Sequence, residues 1–235
     1  MKQPIISFLQ TQLQGKTAVL GLSGGVDSAV VAYLLVEAIG ADRVRGYYLP
    51  SSTNAATDAD DVATIAAQLG IQYEAIPIDP IVAAYEIHLG HLSQIALGNL
   101  KARVRMSLLY TKANAGGGVV VGTGNKTELM LGYFTKYGDG GVDLLPIAHL
   151  YKTEVWQLAT ELGVPEQIIT KPPTAGLWSG QTDEAELGIS YANADAILQA
   201  IESGKPLSGF PMADVNNIQT RIKTAQHKLV LPPHL

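Results

Sequence analysis

The stretch Gly21-Leu22-Ser23-Gly24-Gly25-Val26-Asp27-Ser28 constrains this chain more than any other, because it joins a short apolar run to an amphipathic helix through two adjacent glycines. Thr17 to Leu22 (TAVLGL) reads as a buried strand and Ala29 to Ile39 as a helix. Gly24 and Gly25 leave the backbone bare, so several N–H groups can point at an anion where the helix dipole already favours negative charge. The turn is a phosphate cradle. The common phosphate loop, G-x-x-x-x-G-K-[ST], places a lysine beside the phosphates, whereas this turn carries Asp27. A carboxylate beside a polyphosphate needs a divalent cation between them, so Asp27 reads as a magnesium ligand. The plain alternative is that Ser23 and Asp27 cap the helix while the glycines make a tight turn, but capping needs only one such residue.

Alternation continues beyond the cradle. Arg43 to Leu49 reads as a second strand, Asp58 to Leu69 as a helix closed by Gly70, and Gln72 to Ile78 as a third strand. Such alternation predicts an α/β fold built on a doubly wound parallel sheet with right-handed crossovers. Ser93 to Asn114 reads as a long helix with Leu97, Leu100, Val104 and Leu108 at helical spacing, and with Lys101, Arg103 and Arg105 among them as solvated residues. A helix of that length can also form a two-fold dimer contact and lend a cation to the neighbouring subunit.

Gly118 to Gly122 is a fourth buried strand that runs into Thr123-Gly124-Asn125-Lys126-Thr127-Glu128. This second strand-turn-helix junction should face the same sheet edge as the first, which brings Thr123 and Glu128 toward Asp27. Taken alone, Glu128 reads as a first-turn acid on an exposed helix. The glycine-rich span from Gly132 to Pro146 makes a poor core element and reads as a ligand loop, where aromatic faces stack on a ring and Lys136 and Asp143 fix polar groups. Tyr151 to Leu162 reads as a helix with Lys152 at its unfavourable end, a position that calls for an anion nearby. The irregular run from Lys171 to Glu184 carries Trp178 and reads as a mobile lid. Two further helices, Ser190 to Ser203 and Met212 to Leu229, complete the chain, with Val215, Ile218, Ile222, Ala225 and Leu229 as the apolar stripe of the last.

With 235 residues, 47% of them hydrophobic, the chain can bury a full core and reads as one domain over residues 1–235. A net charge of −5 without basic runs argues against a large nucleic-acid surface. No window approaches a membrane span, and the opening residues read as an amphipathic helix and not as a signal peptide. There is no cysteine, which excludes disulfides, thiolate metal sites and cysteine nucleophiles and fits the cytoplasm.

The segment GLSGGVDS resembles the SGGxDS loop of enzymes that split ATP between its α and β phosphates. Together with KARVRM, GTGNKTE, GYFTKYGDGGVDLLP, LYKTEV, KPPTAGLWSGQTDE, LGISY and the terminal HK, it resembles the ammonia-using NAD synthetase family from Gly21 to Lys228. The resemblance implies a Rossmann-like sheet of the adenine nucleotide alpha hydrolase type and a long helix at a homodimer interface. It implies that ATP and magnesium adenylate the nicotinate carboxylate of deamido-NAD with release of pyrophosphate, and that ammonia then displaces AMP to give NAD. Carried over by position, Gly21, Leu22, Ser23, Gly24, Gly25, Val26, Asp27 and Ser28 would hold ATP with Thr123, Lys152 and Thr174. Asp27 and Glu128 would bind magnesium. Arg103, Lys136, Asp143, His227 and Lys228 would bind deamido-NAD, with Arg103 and the terminal pair supplied by the partner subunit. Asp27, Lys152, Thr174 and Asp143 are the groups expected to serve catalysis. Glutamine-using members carry an extra amidase domain with a cysteine nucleophile, so free ammonia is the donor expected here. Gly176 stands where the family usually has aspartate, and Ala148-His149 replaces a common Gly-Asp.

Overall fold

The four expected strands form a single parallel sheet, with β1 (Thr17–Gly21), β2 (Val44–Tyr48), β3 (Gln72–Ala75) and β4 (Gly118–Val121) in the order β3-β2-β1-β4. The structure is a computed structural model and describes residues 1–234. β1 lies inside the sheet, its Val19 in register with Arg45 on one side and Val120 on the other, and Ala18 and Leu20 are fully buried. β3 is the exposed edge. Its regular pairing ends at Ala75, short of the expected Ile78, although the amides of Ile76 and Ile78 still reach Tyr48 O and Pro50 O, each at 2.8 Å.

In chain order the helices are α1 (Lys2–Gln12), α2 (Val26–Ile39), α3 (Thr57–Leu69), α4 (Asp79–Leu89), α5 (Gln94–Gly116), α6 (Lys126–Leu131), α7 (Lys152–Leu162), α8 (Glu166–Ile169), α9 (Asp183–Leu187), α10 (Tyr191–Glu202) and α11 (Met212–Leu229). One sheet face carries α1, α2, α3 and α7 over the main core, and the other carries α4 and α5. Burial of α2 on nearly every side explains its almost unbroken apolar sequence, since its Val30, Val31, Leu34 and Leu35 are fully buried between the sheet and its neighbours. A second cluster gathers Tyr191, Ile197, Leu198, Val215 and Ile218 where α6, α7, α10 and α11 meet. The stripe on α11 is buried at Val215, Ile218 and Ala225, while Leu229 is exposed. Among the described residues no helix is long and apolar enough to cross a membrane.

Strand order is what places the site. After β1 the chain winds outward through β2 and β3, then returns to add β4 on the far side of β1. At such a reversal the turns leaving adjacent strands diverge and open a crevice at the carboxyl edge of the sheet. The two turns concerned are those that follow β1 and β4. The expectation of solvated basic residues on α5 holds for Arg103 alone, because Lys101 is 4% exposed and Arg105 lies partly buried. Lys101 falls four residues after Leu97 and three before Val104, so it lies on the apolar stripe itself.

Candidate active site

The turn after β1 is pinned by its own hydroxyls. The amide of Ser23 donates to Ser28 Oγ at 3.2 Å, the amide of Gly25 donates to Ser23 Oγ at 3.2 Å, and Ser28 Oγ donates to Gly25 O at 3.0 Å. The amides that open α2 lack helical partners and face the crevice as a ready anion site. Gly24 has a different task from its neighbours. Its φ is +81°, and a Cβ there would lie 3.0 Å from the Asp58 carbonyl oxygen, so glycine lets the turn rest on the start of α3. Gly21, Leu22, Ser23, Gly25, Val26, Asp27 and Ser28 line the cavity, and Gly24 supports them from behind.

Asp27, on the first turn of α2, meets residues from two other elements. Its Oδ2 accepts from Lys152 Nζ at 2.5 Å and its Oδ1 from Asn125 Nδ2 at 3.0 Å. Glu128 Oε1 lies 3.6 Å from the same ammonium. Glu128 also serves the local role that its sequence position allows, since Asn125 and Glu128 form a capping box at the start of α6. Lys152 is 1% exposed at the amino end of α7, and the anion its position called for is the Asp27–Glu128 pair. Its backbone is fastened from outside: the Lys152 amide donates to Thr127 Oγ1 at 2.9 Å, and Asp195 accepts from Thr127 Oγ1 at 2.5 Å and from the Thr153 amide at 2.8 Å.

The electrostatics follow from burial. Burial and then the neighbouring Asp27 push the Glu128 carboxyl up to about 8, only partly opposed by Lys152. Burial would lower the Lys152 ammonium, yet the two carboxylates outweigh it and hold that group above its ordinary value. Asp27 and Glu128 offer oxygen donors only, and among the described residues no group of three or more His, Cys, Asp or Glu is arranged to hold a metal. A pair of carboxylates fits a hard cation that takes its remaining ligands from water and phosphate, which is magnesium chemistry.

These residues open into a cavity of about 500 Å³ that also takes in Thr123, Thr174 and Lys228. Residues of the run from Lys171 to Glu184 line it, and side-chain contacts fasten that run in place. Lys171 bridges Asp58 and Asp61 at 2.6 Å each, and the Leu177 amide donates to Gln181 Oε1 at 2.8 Å. Asp183, which sequence reasoning passed over, is buried close to Lys152 and accepts from the Tyr133 hydroxyl at 3.1 Å and the Tyr191 hydroxyl at 3.0 Å. Burial raises its carboxyl above the ordinary range. Arg105 and Asp139 also line the cavity and were likewise missed. The sequence signal for Arg105 was its place one turn after Lys101, beside the apolar stripe.

The residues carried over for the second nucleotide divide into three groups. Lys228 lines the cavity and donates to Gly132 O at 2.7 Å and Phe134 O at 2.6 Å. Arg103, Lys136 and His227 gather outside it, with Arg103 donating to Lys136 O at 3.3 Å and Lys136 Nζ to His227 O at 2.5 Å. Tyr137 beside them has φ 59° and is 57% exposed, a strained backbone held open to solvent. Asp143 is tied to the sheet: its Oδ2 accepts from the Val120 amide at 2.8 Å and its Oδ1 from the Tyr110 hydroxyl at 3.0 Å.

A family model described as NAD synthase matches residues 2–232. The chain is 51% identical over 226 residues to the NH(3)-dependent NAD(+) synthetase of Methanosarcina acetivorans, covering 92% of this chain and 88% of that one. Its fold is similar to a solved NMN synthetase from Francisella tularensis, with TM-score 0.91 and 34% identity over 100% of this chain and 96% of that one. It is also similar to an NH3-dependent NAD synthetase from Campylobacter jejuni, with TM-score 0.87 and 31% identity over 100% and 96% of the two chains. A phosphate cradle, an acidic pair sharing one buried lysine, and a match along almost the whole sequence agree, and the chain belongs to the NAD synthase family.

Proposed function

We propose that this chain is an ammonia-dependent NAD synthetase that adenylates the nicotinate carboxylate of deamido-NAD with ATP and converts the adenylate to NAD with ammonia. One observation carries the reading: the Asp27 and Glu128 carboxylates reach the same Lys152 ammonium beside the cradle amides. A free carboxylate resists ammonia because hydroxide is a poor leaving group, whereas an acyl adenylate expels AMP. Forming it builds charge on the departing pyrophosphate. Lys152, the first-turn amides of α2 and the hydroxyls of Thr123 and Thr174 are donors already set around that charge. Magnesium held by Asp27 and Glu128 supplies charge neutralisation on the polyphosphate when bound. Alignment of two bound nucleotides would provide much of the rate.

A 500 Å³ cavity suits one ligand of ordinary size. This supports ATP in the cavity and deamido-NAD extending from Lys228 and Asp143 toward Arg103, Lys136 and His227. The reading includes a homodimer, while Lys228 in the cavity of its own chain and Arg103 and His227 beside Lys136 favour their serving the site of that same chain. Tyr85, Ile87, Leu89 and Ile95, exposed where α4 runs into α5, support a covered surface there. The reading also treats the chain as one domain acting in the cytoplasm. Purified protein given ATP, magnesium, ammonium and deamido-NAD should release AMP and NAD in equal amounts, and AMP without NAD would end the proposal. Likeness to an NMN synthetase favours one second reading, in which the acceptor is the corresponding mononucleotide. Comparing kcat/KM for the two acceptors decides between them. Arg103→Ala should raise KM for deamido-NAD several-fold and leave KM for ATP unchanged.

A further inference from the structure

Lys101 is a buried cation that the reaction above does not use. It is 4% exposed and makes no ion pair among the described residues. An ammonium costs free energy to bury unless its protons find acceptors. Its two acceptors lie on separate segments: Thr53 Oγ1 at 3.0 Å, in the turn after β2, and Leu177 O at 2.9 Å, in the lid. Thr53 Oγ1 in turn donates to Gly176 O at 3.0 Å. One hydroxyl and one ammonium therefore hold two successive lid carbonyls.

A second observation points to the same place. Gly98, one turn before Lys101, sits inside α5, where glycine is less stable than alanine by roughly 0.5–1 kcal/mol. A Cβ on Gly98 would lie 3.3 Å from Leu177 Cβ and 3.4 Å from Trp178 Cζ3. The missing side chain lets the lid settle against the helix. Gly176 is matched to this seat, since its φ of +62° is a glycine conformation and a Cβ there would lie 3.1 Å from Asn54 Nδ2. Arg105, one turn further on, steadies the opposite jaw by donating to Leu49 O at 2.8 Å and Asn54 Oδ1 at 3.2 Å.

We infer that Gly98 and Lys101 form the seat on which the lid closes, and that Lys101 is a positioning residue that brings Thr174 over bound ATP by holding the lid carbonyls. The inference deepens the synthetase reading and rests on it for its kinetic consequence. The geometric consequence stands apart from it.

The test uses the full chain. Lys101→Met keeps the length of the side chain and removes both hydrogen bonds, and exchange of a buried charge for an apolar group should not lower Tm. Chymotrypsin cleavage after Leu177 or Trp178 should quicken about tenfold, as expected from losing hydrogen bonds to a charged donor. The part of the acrylamide quenching that disappears in Trp178→Phe should rise with it, and KM for ATP should increase about tenfold with a smaller change in kcat. Gly98→Val, which fills the seat and leaves Lys101 in place, should reproduce these changes. Wild-type cleavage and KM in Lys101→Met would overturn the inference. A fall in Tm with neither of them altered would also overturn it, by making Lys101 merely structural. Should the wild-type protein make no AMP, the synthetase reading fails, while cleavage and quenching still judge the seat.

Discussion

Two lysines in this molecule each stand between two carboxylates, and they differ in how completely the acids are satisfied. Lys171 holds Asp58 and Asp61 symmetrically, both at 2.6 Å, and Asp58 Oδ2 also accepts from Asn54 Nδ2 at 3.0 Å and the Ala55 amide at 3.2 Å. Lys152 is asymmetric, at 2.5 Å from Asp27 but 3.6 Å from Glu128, and it is far more deeply buried. The first group is closed and fastens the root of the lid to α3. The second leaves one partly buried carboxylate short of positive charge, and desolvation and Asp27 push Glu128 up to about 8. The same residue types thus make a closed tie in one place and leave a carboxylate short of positive charge in the other.

The sharpest way to break this contrast is Asp27→Ala. It should lower AMP formation about a thousandfold with an unchanged circular dichroism spectrum, because Asp27 serves the cavity and not the core. Retained turnover would remove the cation site from the comparison. Next, Lys152→Met removes a fully buried ammonium and leaves two partly buried carboxylates facing each other, and breaking such a pair costs about 3–5 kcal/mol. Its Tm should fall clearly, and magnesium should restore part of the loss.

Titration sharpens the contrast further. Glu128 moves from an ordinary 4.5 to about 8, so between those values the folded protein binds more protons than the unfolded chain. Stability without metal is therefore highest below about pH 4.5 from this group, and it is lost as pH rises through 8. Glu128→Gln should flatten that slope in thermal unfolding. Magnesium competes with the proton, so the gain in Tm on adding it should grow toward pH 8 in the wild type and vanish in the variant. The smallest loss of turnover is expected from Lys171→Met, although it strips the cation from the buried Asp58 and Asp61 and should lower Tm clearly. Its loss of turnover should be well below that of Lys152→Met, and an equal loss would mean that the two groups are not different in kind.

Both strand-turn-helix junctions were legible because they are local: a few consecutive apolar residues, then glycine, serine or asparagine, then helical spacing. Their meeting at one edge followed from the rule for parallel sheets. Lys152 was legible as a lysine at the wrong end of a helix. The standing of Lys101 and Arg105 was not, because periodicity marks which face of α5 is apolar without saying what will cover it, and a lid from more than seventy residues away covers this one. Asp143 read as a ligand residue from composition, and the tertiary structure adds that its carboxylate accepts from the Val120 amide and the Tyr110 hydroxyl.

By itself the sequence determined the alternating strands and helices, the bare phosphate turn and the acidic character of the groups beside it, since backbone preference and hydrophobic period act over neighbouring residues. Only the tertiary structure decided which charges meet. Lys152 reaches Asp27 across 125 residues and Lys171 reaches Asp58 across 113, and those encounters are set by strand order and helix packing, which no short segment encodes.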